Sequence, residues 1–185
     1  MSKRVESEGA KMLRKAAGAV AAAVLLVPVG WAAPAGSQTF TCLGLAATIV
    51  GTEGNDNLRG TPGNDVIAAL GGNDMIFGLG GNDAICGDAG DDFISGGNGS
   101  DALVGGTGND TIRGDAGNDV VSAGEGNDDV RGGTGNDDLR GDGGNDDLFG
   151  ESGHDDLSGG PGDDSCNGGT GRNQADSCER MASIP

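Results

Sequence analysis

The chain has 185 residues, 40 of them Gly, with no Tyr, a single Trp and a formal net charge of −18. So little apolar bulk excludes an ordinary globular core, and low hydrophobicity with high net charge marks a chain that does not fold unaided. The acidic balance also excludes nucleic acid as a partner, because phosphate recognition needs clustered Lys and Arg.

Residues 1–35 read as a secretory signal peptide. Lys3, Arg4, Lys11, Arg14 and Lys15 precede the uncharged run Ala16 to Val29, and Ala33-Pro34-Ala35 supplies an A-x-A cleavage site. The apolar run is short, Ala-rich and broken by Pro28, so no membrane insertion is expected once the leader is removed. The expected product is secreted and extracellular, with or without attachment to a cell surface. Loss of the leader, net +3, would leave −21 and no Lys at all. Residues 36–50 read as an N-terminal cap. Thr48-Ile49-Val50 falls on strand positions in phase with the chain from Gly51 onward, Ile49 inward, while Ala47 stands where an Asp would be. Such a rung would cover the first sheet edge.

From Gly51 to Asn167 one nine-residue phrase repeats thirteen times without insertion or deletion. Position 4 is always Gly. Position 6 is always Asp: Asp56, Asp65, Asp74, Asp83, Asp92, Asp101, Asp110, Asp119, Asp128, Asp137, Asp146, Asp155 and Asp164. Position 8 is aliphatic from Leu58 to Leu157 and ends in Cys166. A glycine at fixed phase implies positive φ or close backbone approach, so the first six residues predict a turn. The last three, polar-aliphatic-polar, predict a short strand with one inward side chain. Two nonads make one coil of eighteen residues, and stacked coils make an all-β parallel β-roll, a β-solenoid, in which each nonad lies beside the next but one. The position-6 carboxylates then form two columns with a rise near 4.8 Å, the ordinary strand spacing. Carboxylates that close repel, and together with turn carbonyls they are the hard oxygens that Ca²⁺ takes in sets of 6 to 8.

The phrase resembles the glycine-rich RTX, or haemolysin-type calcium-binding, repeat G-G-x-G-x-D-x-U-x. The resemblance implies Ca²⁺ between successive turns, held by the position-6 carboxylates and by carbonyls of the preceding turn. Six gaps between odd nonads and five between even ones make about eleven sites. About eleven ions carry roughly +22, close to cancelling the charge of the chain without its leader. In that family the repeats usually accompany a toxin, protease, lipase or epimerase domain exported without an N-terminal signal. Here a leader is read and no effector domain is, so neither toxicity nor hydrolysis is carried over. The expectation is a stand-alone secreted calcium-binding roll with a structural or interaction role and a protein or cell-surface partner of unknown identity. An ice-binding or surface-adhesion solenoid is the alternative, weakened because Thr107 and Thr134 fall in nonads of opposite faces.

Residues 168–185 are a failing fourteenth repeat and read as a C-terminal cap. Gly168-Gly169-Thr170-Gly171 keeps the turn, but Asn173 stands where Asp should be. Four cysteines in an exported chain predict two disulfides with three possible connectivities. The placement at the ends favours Cys42 with Cys86 and Cys166 with Cys178. Asp129, Asp138, Asp147 and Asp156 at position 7 read as a solvated outer face, with Arg113, Arg131 and Arg140 at position 9 to offset them. His154 takes the place of the usual Asn at position 5 in a solvent-facing turn, with no base-nucleophile-orienter arrangement around it, and no catalytic residue is predicted.

Overall fold

The structure, a computed structural model, describes residues 39–182. The proposed signal peptide therefore lies outside the described residues. Two parallel sheets of eight strands face each other. One is built from the odd nonads and closes on Arg180–Ala182; the other is built from the even nonads and opens on Ile49–Val50. Every pairing within them joins residues of successive coils, as in Ile112 with Ile94 and Val130, or Val121 with Leu103 and Leu139. The chain is thus the all-β roll that its period predicts.

The inward column explains why two sheets form. Position 8 is at most 3% exposed from Ile67 through Cys166, and these residues fuse into one continuous core together with Ala69 and Ala123 at position 1. Each Val, Leu or Ile of this column contributes about 1.5–3 kcal/mol when fully buried, and none meets a second large aliphatic side chain of its own nonad in this core. At the ends Ile49, Leu58, Ala175 and Cys178 pack on this core while only partly buried.

The strands are longer than the three residues expected. In the middle coils they run for six, as in Thr111–Ala116, because the ladder resumes at positions 2 and 3 of the next nonad, pairing Asp115 with Gly97 and Gly133. Position 2 makes this possible by entering the left-handed region, a second conformational break besides position 4. Non-glycine residues hold it at Leu70, Leu79, Asp88, Asp115, Asp142 and Glu151, with φ between 69° and 82°.

Both ends are clipped by disulfides, in the pairing favoured by placement. Thr41–Cys42 and Leu45–Ala46 form a small antiparallel hairpin that lies on the outside of the even sheet. There Cys42 reaches past the strand Val66–Ala68 to bond Cys86, with Cα atoms 5.6 Å apart, and Cys42, Ala84 and Cys86 form a second small core against Val66 and Val104. At the other end Cys166, an inward core residue, bonds Cys178.

The outer faces change character along the roll. Apolar residues such as Met75, Phe77, Phe93 and Val120 give way to Asp and Arg. Arg131 pairs with Asp129 at 3.1 Å and Arg140 with Asp138 at 2.9 Å. All four side chains are about 40% exposed, so each pair is worth well under about 1 kcal/mol. Arg113 stacks over Phe93 instead.

Candidate metal centre

Stacking brings the position-6 aspartates into two columns, one per edge of the roll, with Asp56, Asp74, Asp92, Asp110, Asp128, Asp146 and Asp164 in one. Asp65, Asp83, Asp101, Asp119, Asp137 and Asp155 form the other. From Asp74 onward each is at most 3% exposed; Asp65 is 8% exposed and Asp56 only half-buried. One carboxylate oxygen of each member from Asp74 onward has a fixed role. The Asp56 N–H donates to Asp74 Oδ1 at 2.8 Å, and the same bond recurs from each coil to the next, at 2.7 to 3.1 Å, up both columns.

The second oxygen is different. Eleven Oδ2 atoms, those of Asp74, Asp83, Asp92, Asp101, Asp110, Asp119, Asp128, Asp137, Asp146, Asp155 and Asp164, are buried and accept no hydrogen bond. Buried polar atoms are normally partnered, and a regular series of eleven orphans of one chemical type asks for a positively charged partner. Backbone oxygens crowd the same gaps. A Cβ on Gly99 or Gly117 would strike the carbonyl oxygen of position 4 one coil back, Gly81 or Gly99. One on Gly78 or Gly105 would strike both its own nonad's Asp Oδ2 and the position-1 carbonyl one coil on. Glycine is needed there because oxygens occupy the space a side chain would fill. Among the described residues no three acidic, His or Cys side chains converge as a ready cage. A cation in a gap would therefore take one or two carboxylate oxygens and complete its shell from backbone carbonyls, a donor set of hard oxygens that suits Ca²⁺.

A family model for the RTX calcium-binding nonapeptide repeat matches this chain in overlapping stretches, 50–85, 59–94, 85–112, 95–130, 104–139, 122–157 and 140–175. The chain belongs to the RTX calcium-binding nonapeptide-repeat family. No curated protein matches it closely enough to stand as a relative.

The RTX columns are electrostatically tense without metal. Burial pushes Asp110 and Asp119 up to about 7, and Asp92, Asp101, Asp137 and Asp146 up to about 6; the backbone N–H each accepts pulls back, and neighbouring carboxylates push further up. Asp74, Asp83, Asp128 and Asp155 shift upward with the same leading cause. A proton or a cation relieves each of them.

The first members of the two columns and the residues that close them beyond Asp155 and Asp164 leave no orphan, and they show what the slot requires. In the first two RTX turns Thr52 and Thr61 stand at position 2, where they donate both N–H (2.6 Å) and Oγ1 (2.9 Å) to Oδ2 of Asp56 and Asp65. At the far end Asn173 keeps the ladder bond, accepting the Asp155 N–H at 2.9 Å. It turns its Nδ2 onto the Gly168 carbonyl at 2.7 Å. Its amide puts a donor where each aspartate has a bare oxygen. The other column closes on Glu179, whose Oε2 takes the Asp164 N–H at 2.7 Å. Glu179 lies off the nine-residue phase, so periodicity could not find it; Thr52 and Thr61 were legible only as the two Thr in an otherwise variable column.

A second ladder runs through position 5. Asn73 N–H donates to Asn55 Oδ1, and the pattern continues through Asp91, Ser100 and Asn109. His154 accepts the Arg172 N–H on Nδ1 at 2.8 Å, filling the acceptor role of the Asn it replaces. The taste for short acceptors at position 5 was the sequence signal for this ladder.

Proposed function

We propose that this protein is a secreted calcium-binding β-roll whose folding and ion loading are a single event, with a structural or interaction role outside the cell. The observation that carries the reading is the set of eleven buried, unpartnered Oδ2 atoms, one for each gap between successive column aspartates. Eleven ions are the corresponding load. The ligands would be the position-6 aspartates from Asp74 to Asp164 with turn carbonyls, while Asp56 and Asp65 form the floor of the lowest gaps under their threonine donors. Export rests on the leader read in residues 1–35, and the two disulfides at the ends suit an oxidising compartment. Thr107 and Thr134 lie in different sheets, so no flat threonine array favours ice binding.

Without metal, the repulsion along each column and the ordering of a glycine-rich backbone, roughly 1–2 kcal/mol per residue, oppose one inward side chain per nonad. Ca²⁺ cancels the first and clamps the turns, and neighbouring gaps share carboxylates, so filling is cooperative. Circular dichroism of the secreted chain, titrated with Ca²⁺ and then with excess EGTA, tests this. The expected result is a steep, reversible gain of β signal in the sub-millimolar to millimolar range of extracellular modules. A β-rich spectrum that persists in chelator would show that the roll does not need its metal.

A further inference from the structure

The two columns are closed at the C-terminal end by different chemistry. In the even column Asn173 turns Nδ2 onto the Gly168 carbonyl, the same oxygen that a Cβ on Gly150 would meet together with Asp155 Oδ2. A donor thus faces the carbonyl that a cation would need. In the odd column the corresponding place is built from oxygens. A Cβ on Gly159 would meet Asp164 Oδ2 and the Ser177 carbonyl, just as one on Gly105 would meet Asp110 Oδ2 and the Ala123 carbonyl in mid-column. Asp164 is 0% exposed, and its Oδ2 accepts no hydrogen bond. Glu179 stands where the next aspartate would, taking the Asp164 N–H on Oε2 at 2.7 Å and leaving Oε1 outside the ladder. The adjacent Arg180 is engaged elsewhere, its Nη2 donating to the Asp163 carbonyl at 3.1 Å. The repeat phase is broken to bring these groups together: Glu179 follows Asp164 by 15 residues, where Asp164 follows Asp146 by 18. Ser177, at φ 55°, takes the corner. Cys178, between Ser177 and Glu179, is tied by its disulfide to Cys166 in the core.

We infer that Asp164 Oδ2, the Glu179 carboxylate and the Ser177 carbonyl form a further calcium site, built by the C-terminal cap outside the nonapeptide repeats. The inference rests on the calcium-binding reading above and adds one site that no pair of column aspartates supplies. All three donors are hard oxygens, and Ca²⁺ accepts such sets in irregular geometry with water completing the shell, which Mg²⁺ does not. Asp164 Oδ2 would serve the gaps on both of its sides, as each mid-column aspartate does. Glu179 makes the difference between the two ends: a carboxylate adds a charge and an acceptor where the Asn173 amide adds a donor. The disulfide holds Cys178 in place between the two cap donors, so the site is largely ordered before an ion arrives. An ion there would join the last repeat to the strand Arg180–Ala182, which covers the final edge of its sheet.

The test is the number of calcium ions bound per chain at saturation, by equilibrium dialysis with metal analysis, for the secreted chain and three variants. E179Q keeps an oxygen for the Asp164 N–H and puts an amide donor in place of the other, as Asn173 does. It should bind one ion fewer than the wild type, with the calcium-loaded β signal unchanged. N173D gives the even column a carboxylate end and should bind one ion more. D163N removes the same charge beside the site, from an exposed position where Asn is usual, and should bind the wild-type number. An E179Q count equal to that of the wild type, or equal losses in E179Q and D163N, would overturn the inference. So would the loss of several ions together with the β signal in E179Q, which would make Glu179 a support of the fold and not a ligand. Absence of calcium binding by the wild type would instead remove the calcium reading on which the inference stands.

Discussion

Asn173 suggests how to make the roll independent of its metal. The perturbation is to convert the rest of its column to amides by replacing Asp83, Asp101, Asp119, Asp137 and Asp155 with Asn, leaving Asp65 under Thr61. Each new Oδ1 would keep the ladder bond now made by the aspartate. Each Nδ2 would meet the position-1 carbonyl as Asn173 meets Gly168. A buried polar group without a partner costs about 1–3 kcal/mol, and more when charged, so five relieved sites amount to roughly 5–15 kcal/mol in the metal-free state. That is comparable with the whole stability of a domain. In chelator the fivefold Asn variant should show β signal and a cooperative urea transition where the wild type shows neither. In calcium it should bind about five fewer ions. The matched fivefold Ala variant, which removes acceptor and donor alike, is the control. If the Asn variant is as unfolded in chelator as the wild type, the bare Oδ2 atoms are not what holds the metal-free chain open.

Single ligand loss should depend on place. Asp110→Ala removes an orphan oxygen in mid-column and should cost about one or two ions of the saturating load, whereas Asp56→Ala, whose Oδ2 is already held by Thr52, should cost fewer; equal losses by calorimetry would argue against sharing between neighbouring coils. Acid should partly replace calcium. Burial pushes six column carboxylates, Asp92, Asp101, Asp110, Asp119, Asp137 and Asp146, up to about 6 or 7 in the fold against 3.8 for the free side chain, so their raised values favour folding below about pH 4 and that contribution is lost as pH rises through 6 to 7. In metal-free buffer the β signal should grow between pH 7.5 and 5, while with calcium present the midpoint should move to higher calcium over the same interval; a flat response in both would contradict the burial of the columns. The two disulfides should fail differently. Cys42→Ser with Cys86→Ser should free the hairpin, detected as proteolysis around residues 39–47 with calcium-loaded β signal intact, because Cys86 faces outward. Cys166→Ser with Cys178→Ser should lower the thermal midpoint, because Cys166 is core.

The period alone determined the roll. A nine-residue phrase with one inward position and a glycine turn has few other ways to bury its aliphatic column, and both the pairing of alternate nonads and the inward set from Leu58 to Cys166 come from strand alternation. Ile49 was legible for the same reason, and the cysteine pairs because stacking puts them at opposite ends. What the tertiary structure decided lies at contacts eighteen residues apart. Which oxygen of each aspartate is spent on the neighbouring coil's N–H, and which is left bare, depends on where the next coil sits. So do the closures by Thr52, Thr61, Asn173 and Glu179, and the second break at position 2, where Leu70 and Leu79 adopt a conformation that no propensity assigns to them. Short-range rules choose strands and turns residue by residue; the pattern of satisfied and unsatisfied oxygens appears only when one coil is laid on another.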